Sequence, residues 1–119
     1  MRRLAVRDDA DITDALPAAK YRLVVAIEAA IDIADHVVAS EGLRPSTSFA
    51  DSFRSLAEAG LLESGLARAL EDAAKLRNLL VHQYADVDDT RVVEIIRTRL
   101  ADLDEFVIAI SRSLDGRSN

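Results

Sequence analysis

The chain has 119 residues, half of them hydrophobic, which is enough for one domain spanning residues 1–119 around one core and too little for two ordinary domains. Four glycines and two prolines leave few places for tight hairpins, and the absence of cysteine excludes a disulfide framework, a thiolate metal site and redox chemistry at sulfur. A formal net charge of −6 excludes a broadly basic surface that grips many phosphates, so any RNA contact has to be local or shared between chains.

The opening Met1-Arg2-Arg3-Leu4-Ala5-Val6-Arg7 is basic but reaches Asp8, Asp9 and Asp11 before any apolar stretch of signal-peptide length. No run approaches the ~20 apolar residues needed to cross a bilayer. A soluble, cytoplasmic protein without a membrane partner is the expectation. Residues 1–14 either add a short helix or stay loose, and the core of the fold is read as residues 17–114.

From Pro17 to Glu41, Leu23, Val24, Ile27, Ile31, Ala34, Val37 and Val38 recur at three- and four-residue steps, as on one helix face. Gly42 suits the left-handed residue that ends such a helix, and Pro45 prevents its continuation. Ser48 is placed to cap a shorter helix over 49–59, with Phe49, Phe53 and Leu56 as its buried stripe and Gly60 as its terminator. A third helix is predicted over 63–82, carrying Leu66, Leu70, Ala73, Leu76, Leu79 and Leu80 toward the core. After the turn-like Ala85-Asp86-Val87-Asp88, Asp88 or Asp89 caps a last helix over 90–114. Its Val93, Ile96, Leu100, Leu103, Val107, Ile110 and Leu114 alternate steps of three and four, the seam expected where one helix packs along another, with fraying beyond Leu114. The fold class that follows is all-α, an up-and-down four-helix bundle.

The third helix ends in Arg77-Asn78-Leu79-Leu80-Val81-His82-Gln83-Tyr84, a concentration of chemistry that packing does not require. Arg offers a planar fork of donors suited to phosphate, and His titrates nearest neutrality. A His near a helix C-terminus has its cationic form favoured by the macrodipole, which suits a group that both donates and accepts a proton. On an ideal helix Asn78 and His82 lie on nearly one face, whereas Arg77 and His82 differ by about 140°. Alignment of the two cations around one phosphate therefore calls for fraying of the last turn or a second copy of the helix. Spacing alone leaves a structural alternative open, in which Arg77 is solvated, His82 caps the last carbonyls and Tyr84 covers the loop.

Elsewhere the signals are weaker. His36, with Asp32 one turn before it and Asp35 beside it, sketches a weak divalent-metal site, but two potential ligands without a third are poor evidence for metal, and a solvent-facing ion pair explains the same spacing. Asp86, Asp88 and Asp89 fit a loop and a helix cap. A glycine-rich phosphate loop, an HExxH pair and a Ser nucleophile elbow are absent from the sequence. No metal site and no cofactor is expected.

The octet in this helical setting resembles the HepT group of HEPN-domain proteins, whose signature is Arg, four residues, His, one residue, Tyr, with a polar residue after the Arg. Arg77, Asn78, His82 and Tyr84 match it. The resemblance runs through Ala26 to His36, through Ser48-Phe49-Ala50-Asp51-Ser52-Phe53 and Leu56, and on to Leu103 and Phe106. It implies a small α-helical toxin that cleaves RNA, not DNA, without metal, as a homodimer whose motif helices meet in a cleft. By that resemblance His82 transfers protons, Arg77 holds the scissile phosphate, Asn78 orients the site, and the RNA 2′-hydroxyl is the nucleophile. The implied partner is a minimal nucleotidyltransferase antitoxin of the MntA type, which attaches AMP to Tyr84. The competing implication is a non-catalytic module that binds nucleotide or presents substrate to such a transferase.

Overall fold

The computed structural model describes residues 16–82 and 89–118, with side chains at 18–82 and 93–115. Four helices account for the regular structure there: α1 (Leu16–Ser40), α2 (Asp51–Glu58), α3 (Ser64–His82) and α4 (Asp89–Ser118). The expected short helix within residues 1–14 lies outside the described residues.

Two glycines close helices as their positions foretell. Gly42 adopts φ 64° and Gly60 φ 79°, a conformation in which a Cβ is strained. At the first, Leu43 N–H donates to Val38 O (2.9 Å) and Gly42 N–H to Ala39 O; at the second, Leu61 N–H donates to Leu56 O (2.9 Å) and Gly60 N–H to Ala57 O. Both are Schellman closures, which satisfy carbonyls that the helix end would otherwise leave unpaired.

The apolar stripes turn inward to one cluster: Leu23, Ile27, Ile31 and Ala34 of α1, Phe53 and Leu56 of α2, Leu70 and Ala73 of α3, and Leu103, Phe106 and Ile110 of α4. Helices α1 and α3 each pack against the other three, while α2 and α4 lie on opposite sides of that pair. Side chains bridge them across the middle. The Phe53 and Phe106 rings meet edge to face, with centroids 5.5 Å apart and planes at 88°, the geometry that the aromatic quadrupole favours.

Four expectations need correction, the first being Leu79, which is exposed near the end of α3 and not turned toward the core. Phe49 is not part of a buried stripe; α2 starts at Asp51, and the Phe49 ring is left exposed. The cause is local. The N-cap is Ala50, without a side-chain cap bond, and Ser48 instead closes the preceding turn: its Oγ and its carbonyl both accept Asp51 N–H at 3.2 Å, so Phe49 sits in the turn before the helix and not on its inner face. The α4 seam is also only half buried, with Leu103 and Ile110 inside and Leu100, Val107 and Leu114 exposed. One helix can turn only one face to a bundle, and the second row of a two-row seam is left for solvent or a partner. Finally, α4 does not stop at Leu114 but continues to Ser118. Polar residues are compatible with a solvated helix end, and Ser113 Oγ–H donates to Leu61 O across the gap to the α2–α3 loop (3.3 Å).

Candidate functional site

Arg77 sits on the last turns of α3 with its side chain drawn toward α1. Its Nε–H and Nη2–H both donate to Glu28 Oε2, at 3.0 and 2.5 Å, and its Nη1–H donates to Asn78 Oδ1 at 3.0 Å. The guanidinium is thus fixed by a carboxylate on one side and an amide on the other. Its side chain is 20% exposed, that of Glu28 43%. Glu28 belongs to an α1 face that also carries Tyr21, Val25 and Asp32, all exposed. Because α1 and α3 are neighbours, this face and the end of α3 form one continuous surface.

His82 is the last residue of α3 and is exposed. Among the described residues no hydrogen bond joins it to Arg77. The reason is helical geometry: five residues place the two Cα atoms about 8.7 Å apart and about 140° around the axis. Arg77 faces the α1 groove, and His82 points away from it. Asn78 is exposed between them and, among the described motif residues, is the one that hydrogen-bonds Arg77. Exposed Leu79 and Val81 flank His82, so the end of α3 presents apolar surface around its titratable group. Tyr84 lies outside the described residues. His36 is exposed on α1, and among the described residues no group of three His, Asp or Glu side chains is placed to hold a metal ion.

Two cavities open beside the motif, and Phe49 forms the wall between them. The larger, about 630 Å³, is lined by Asp35, Ser46, Thr47, Ser48, Phe49, Lys75 and Asn78 over a floor of Ala50 and Ala74. The smaller, about 220 Å³, is lined by Glu28, Ile31, Asp32, Phe49 and Arg77. The loop that carries Phe49 is held on both sides. Asp51 accepts from Arg44 Nη1 (2.8 Å) and Nη2 (3.1 Å), from Thr47 N–H (2.9 Å) and from Thr47 Oγ1 (3.2 Å). Arg44 also reaches Glu58 at 2.7 Å. These bonds, those from Arg44 first and that from the Thr47 amide second, hold the Asp51 carboxyl well below the usual carboxylate range. They likewise hold the Arg44 guanidinium protonated well above its ordinary value. On the inner side, Ser52 Oγ–H bonds the Asp35 carboxylate and lies 3.2 Å from the Phe49 carbonyl, and Ser46 Oγ–H donates to Asp35 at 3.4 Å.

Sequence reasoning found Arg77, Asn78 and His82 but gave no role to Glu28, Lys75 or an exposed Phe49. Glu28 is 49 residues from Arg77, and no local pattern pairs them. For Phe49 a signal existed in the Ser46-Thr47-Ser48 run before it, which favours a turn over a helix.

The model of the ribonuclease HepT-like family matches residues 7–110. The chain belongs to that family. Among HepT-like relatives, the mRNA nuclease HepT of Shewanella oneidensis is 35% identical over 83 residues, which are 70% of this chain and 62% of that protein. The tRNA nuclease HepT of Aphanizomenon flos-aquae is 32% identical over 87 residues, 73% of this chain and 59% of that protein. The chain therefore spans about three fifths of the length of these two HepT proteins. Its fold is similar to that of the tri-AMPylated Shewanella oneidensis HEPN toxin solved in complex with its MNT antitoxin, with a TM-score of 0.73 and 32% identity over 78% of this chain and 70% of that one. Coverage is wider, 92% of this chain and 86% of the other, against a mutant MntA toxin–antitoxin structure at TM-score 0.79 and 27% identity. The HepT-like assignment and the four-helix bundle thus rest on sequence and fold together.

Proposed function

We propose that this chain is an endoribonuclease toxin that works without a metal ion, paired with a nucleotidyltransferase antitoxin. The observation that carries the reading is Arg77, a permanent cation fixed by Glu28 and Asn78 beside the smaller cavity, five residues before an exposed His82. In the reaction the RNA 2′-oxygen attacks phosphorus and the P–O5′ bond breaks. The proton lost from the 2′-hydroxyl is matched by one delivered to the 5′-oxygen, and His82 is the group suited to this exchange. Arg77 neutralises the charge that gathers on the phosphoryl oxygens. Asn78 orients Arg77. Since Arg77 and His82 diverge on one helix, the site is completed by a second copy of the chain, and exposed Leu79 and Val81 supply apolar area for that pairing.

Tyr84, two residues beyond His82, is the proposed acceptor of AMP from the antitoxin. Each AMP phosphate would set negative charge beside Arg77 and His82 and obstruct RNA. The AMPylated state of the Shewanella toxin supports this assignment.

The deciding experiment incubates the purified chain with total cellular RNA in EDTA, beside Arg77→Ala and His82→Ala. Cleavage by the native chain, leaving 2′,3′-cyclic phosphate ends, with a loss of at least about a hundredfold in either variant at unchanged helical content, is the expected result. Full cutting by either folded variant removes its residue from the mechanism. The Glu28–Arg77 pair favours a second reading, a module that binds nucleotide with Arg77 and cuts nothing; RNA that binds and stays intact in every buffer would establish it.

A further inference from the structure

Of the three phenylalanines, Phe53 and Phe106 are fully buried, while Phe49 is 55% exposed. Its position is not an accident of a loose loop. The residues before it are tied to Asp51 through Thr47 and Ser48, and its own carbonyl lies within reach of the Ser52 hydroxyl. What sets this ring apart from other exposed apolar side chains is that it lines two cavities at once. On one side of it stands Arg77, and on the other a cavity of about 630 Å³, within the range that small-molecule sites occupy.

We propose that this cavity is a nucleobase subsite, in which Phe49 stacks the base adjoining the phosphate held by Arg77 in single-stranded RNA. The inference deepens the ribonuclease reading and rests on it for the identity of the polymer. Three features favour a base as the occupant. A flat aromatic face next to a cation is the arrangement that takes a base and its own phosphate together. The walls carry hydroxyls, the Asn78 amide and the Asp35 carboxylate, which hydrogen-bond base edges; Asp35 repels a phosphate and accepts from amino and imino groups, so the edge and not the backbone turns inward. Lys75 at the rim is placed for the next phosphate along the strand. With a net charge of −6 the chain has little long-range attraction for RNA, and stacking supplies affinity that does not depend on charge.

The chain contains no tryptophan, so Phe49→Trp introduces a single indole at the ring position. Titration of that variant with 2′-O-methyl hexanucleotides, which cannot be cut through the 2′-oxygen, is expected to quench indole emission, whereas an abasic hexamer of equal charge leaves it unchanged. Phe49→Ala weakens binding of the same hexamers roughly 5- to 150-fold, the range that alanine substitution of a stacking residue produces. Phe49→Tyr stays within about threefold of the native chain, and far-UV circular dichroism of all variants is superimposable. Equal quenching by the abasic strand overturns the proposal. So does native RNA affinity in Phe49→Ala, including the case in which that variant instead loses its hold on the nucleotidyltransferase, which would make Phe49 a protein contact. The two readings fail separately: quenching without cleavage of any RNA removes the nuclease and keeps the subsite, while cleavage dependent on Arg77 and His82 but indifferent to Phe49 does the reverse.

Discussion

Replacing Glu28 by Gln keeps a side-chain acceptor of the same length beside Arg77 and removes only the charge. The pair it disturbs is neither fully solvated nor fully buried, with Arg77 at 20% and Glu28 at 43% side-chain exposure. Surface pairs contribute up to about 1 kcal/mol, and breaking a buried one costs about 3–5 kcal/mol. The solvated carboxylate puts this pair at the low end, so a loss of about 1 kcal/mol is expected, a fall in Tm of roughly 3–5 °C for a domain of this size. Catalysis should respond more, and in two directions. Without two donors locked to one carboxylate oxygen, Arg77 samples other rotamers, and a misplacement of about 1 Å at a phosphate clamp is worth up to about a hundredfold in kcat. Removing a negative charge that shares Arg77 with the bound phosphate favours binding by about 1 kcal/mol at the screening of an exposed site, so KM falls roughly fivefold. Steady-state cleavage of a fluorogenic RNA gives both constants, and thermal melts give the stability. The opposed shifts, kcat down and KM down, are the signature. An unchanged kcat would refute the positioning role and leave Glu28 as a repulsive charge alone. The double-mutant cycle with Arg77→Lys adds a further check: additive effects within about 0.5 kcal/mol would show the two side chains to be uncoupled.

Phe106→Ala empties the ring position that joins α4 to α2 through Phe53. A destabilisation of about 3–5 kcal/mol in urea melts is expected, as for other buried Phe truncations, and a cost under about 1 kcal/mol would mean that the core does not depend on this contact. Asp51 gives a pH dependence whose sign is set by Arg44 and Thr47. Its carboxyl is depressed in the folded chain, so its contribution is complete above the unfolded value of about 3.9 and is lost as the pH falls below that toward the folded value. Asp51→Asn should therefore be less stable than the native chain at pH 7, with the gap narrowing below about pH 4; urea midpoints that run parallel from pH 7 to pH 2 would contradict this.

Periodicity in the sequence was enough to determine four helices, their order and most of the core. The spacing of Leu23, Ile27, Ile31 and Ala34, or of Leu103 and Ile110, is read by a helix in only one way, and Gly42 and Gly60 mark ends because few other residues adopt a positive φ without strain. The motif was equally legible, since Arg77, Asn78 and His82 lie within six residues and their chemistry does not depend on distant partners for recognition. What the sequence could not reveal is which groups answer them. Glu28 meets Arg77 across 49 residues because α1 and α3 pack side by side, a relation with no local trace. The exposure of Phe49 goes with a turn in which Asp51 N–H donates to Ser48 Oγ and α2 starts past the ring. The outer row of α4, with Leu100, Val107 and Leu114, looks the same in sequence as the inner one. Only tertiary packing chooses which of two apolar rows a bundle covers, because that choice depends on the helices that α4 lies against and not on α4 itself.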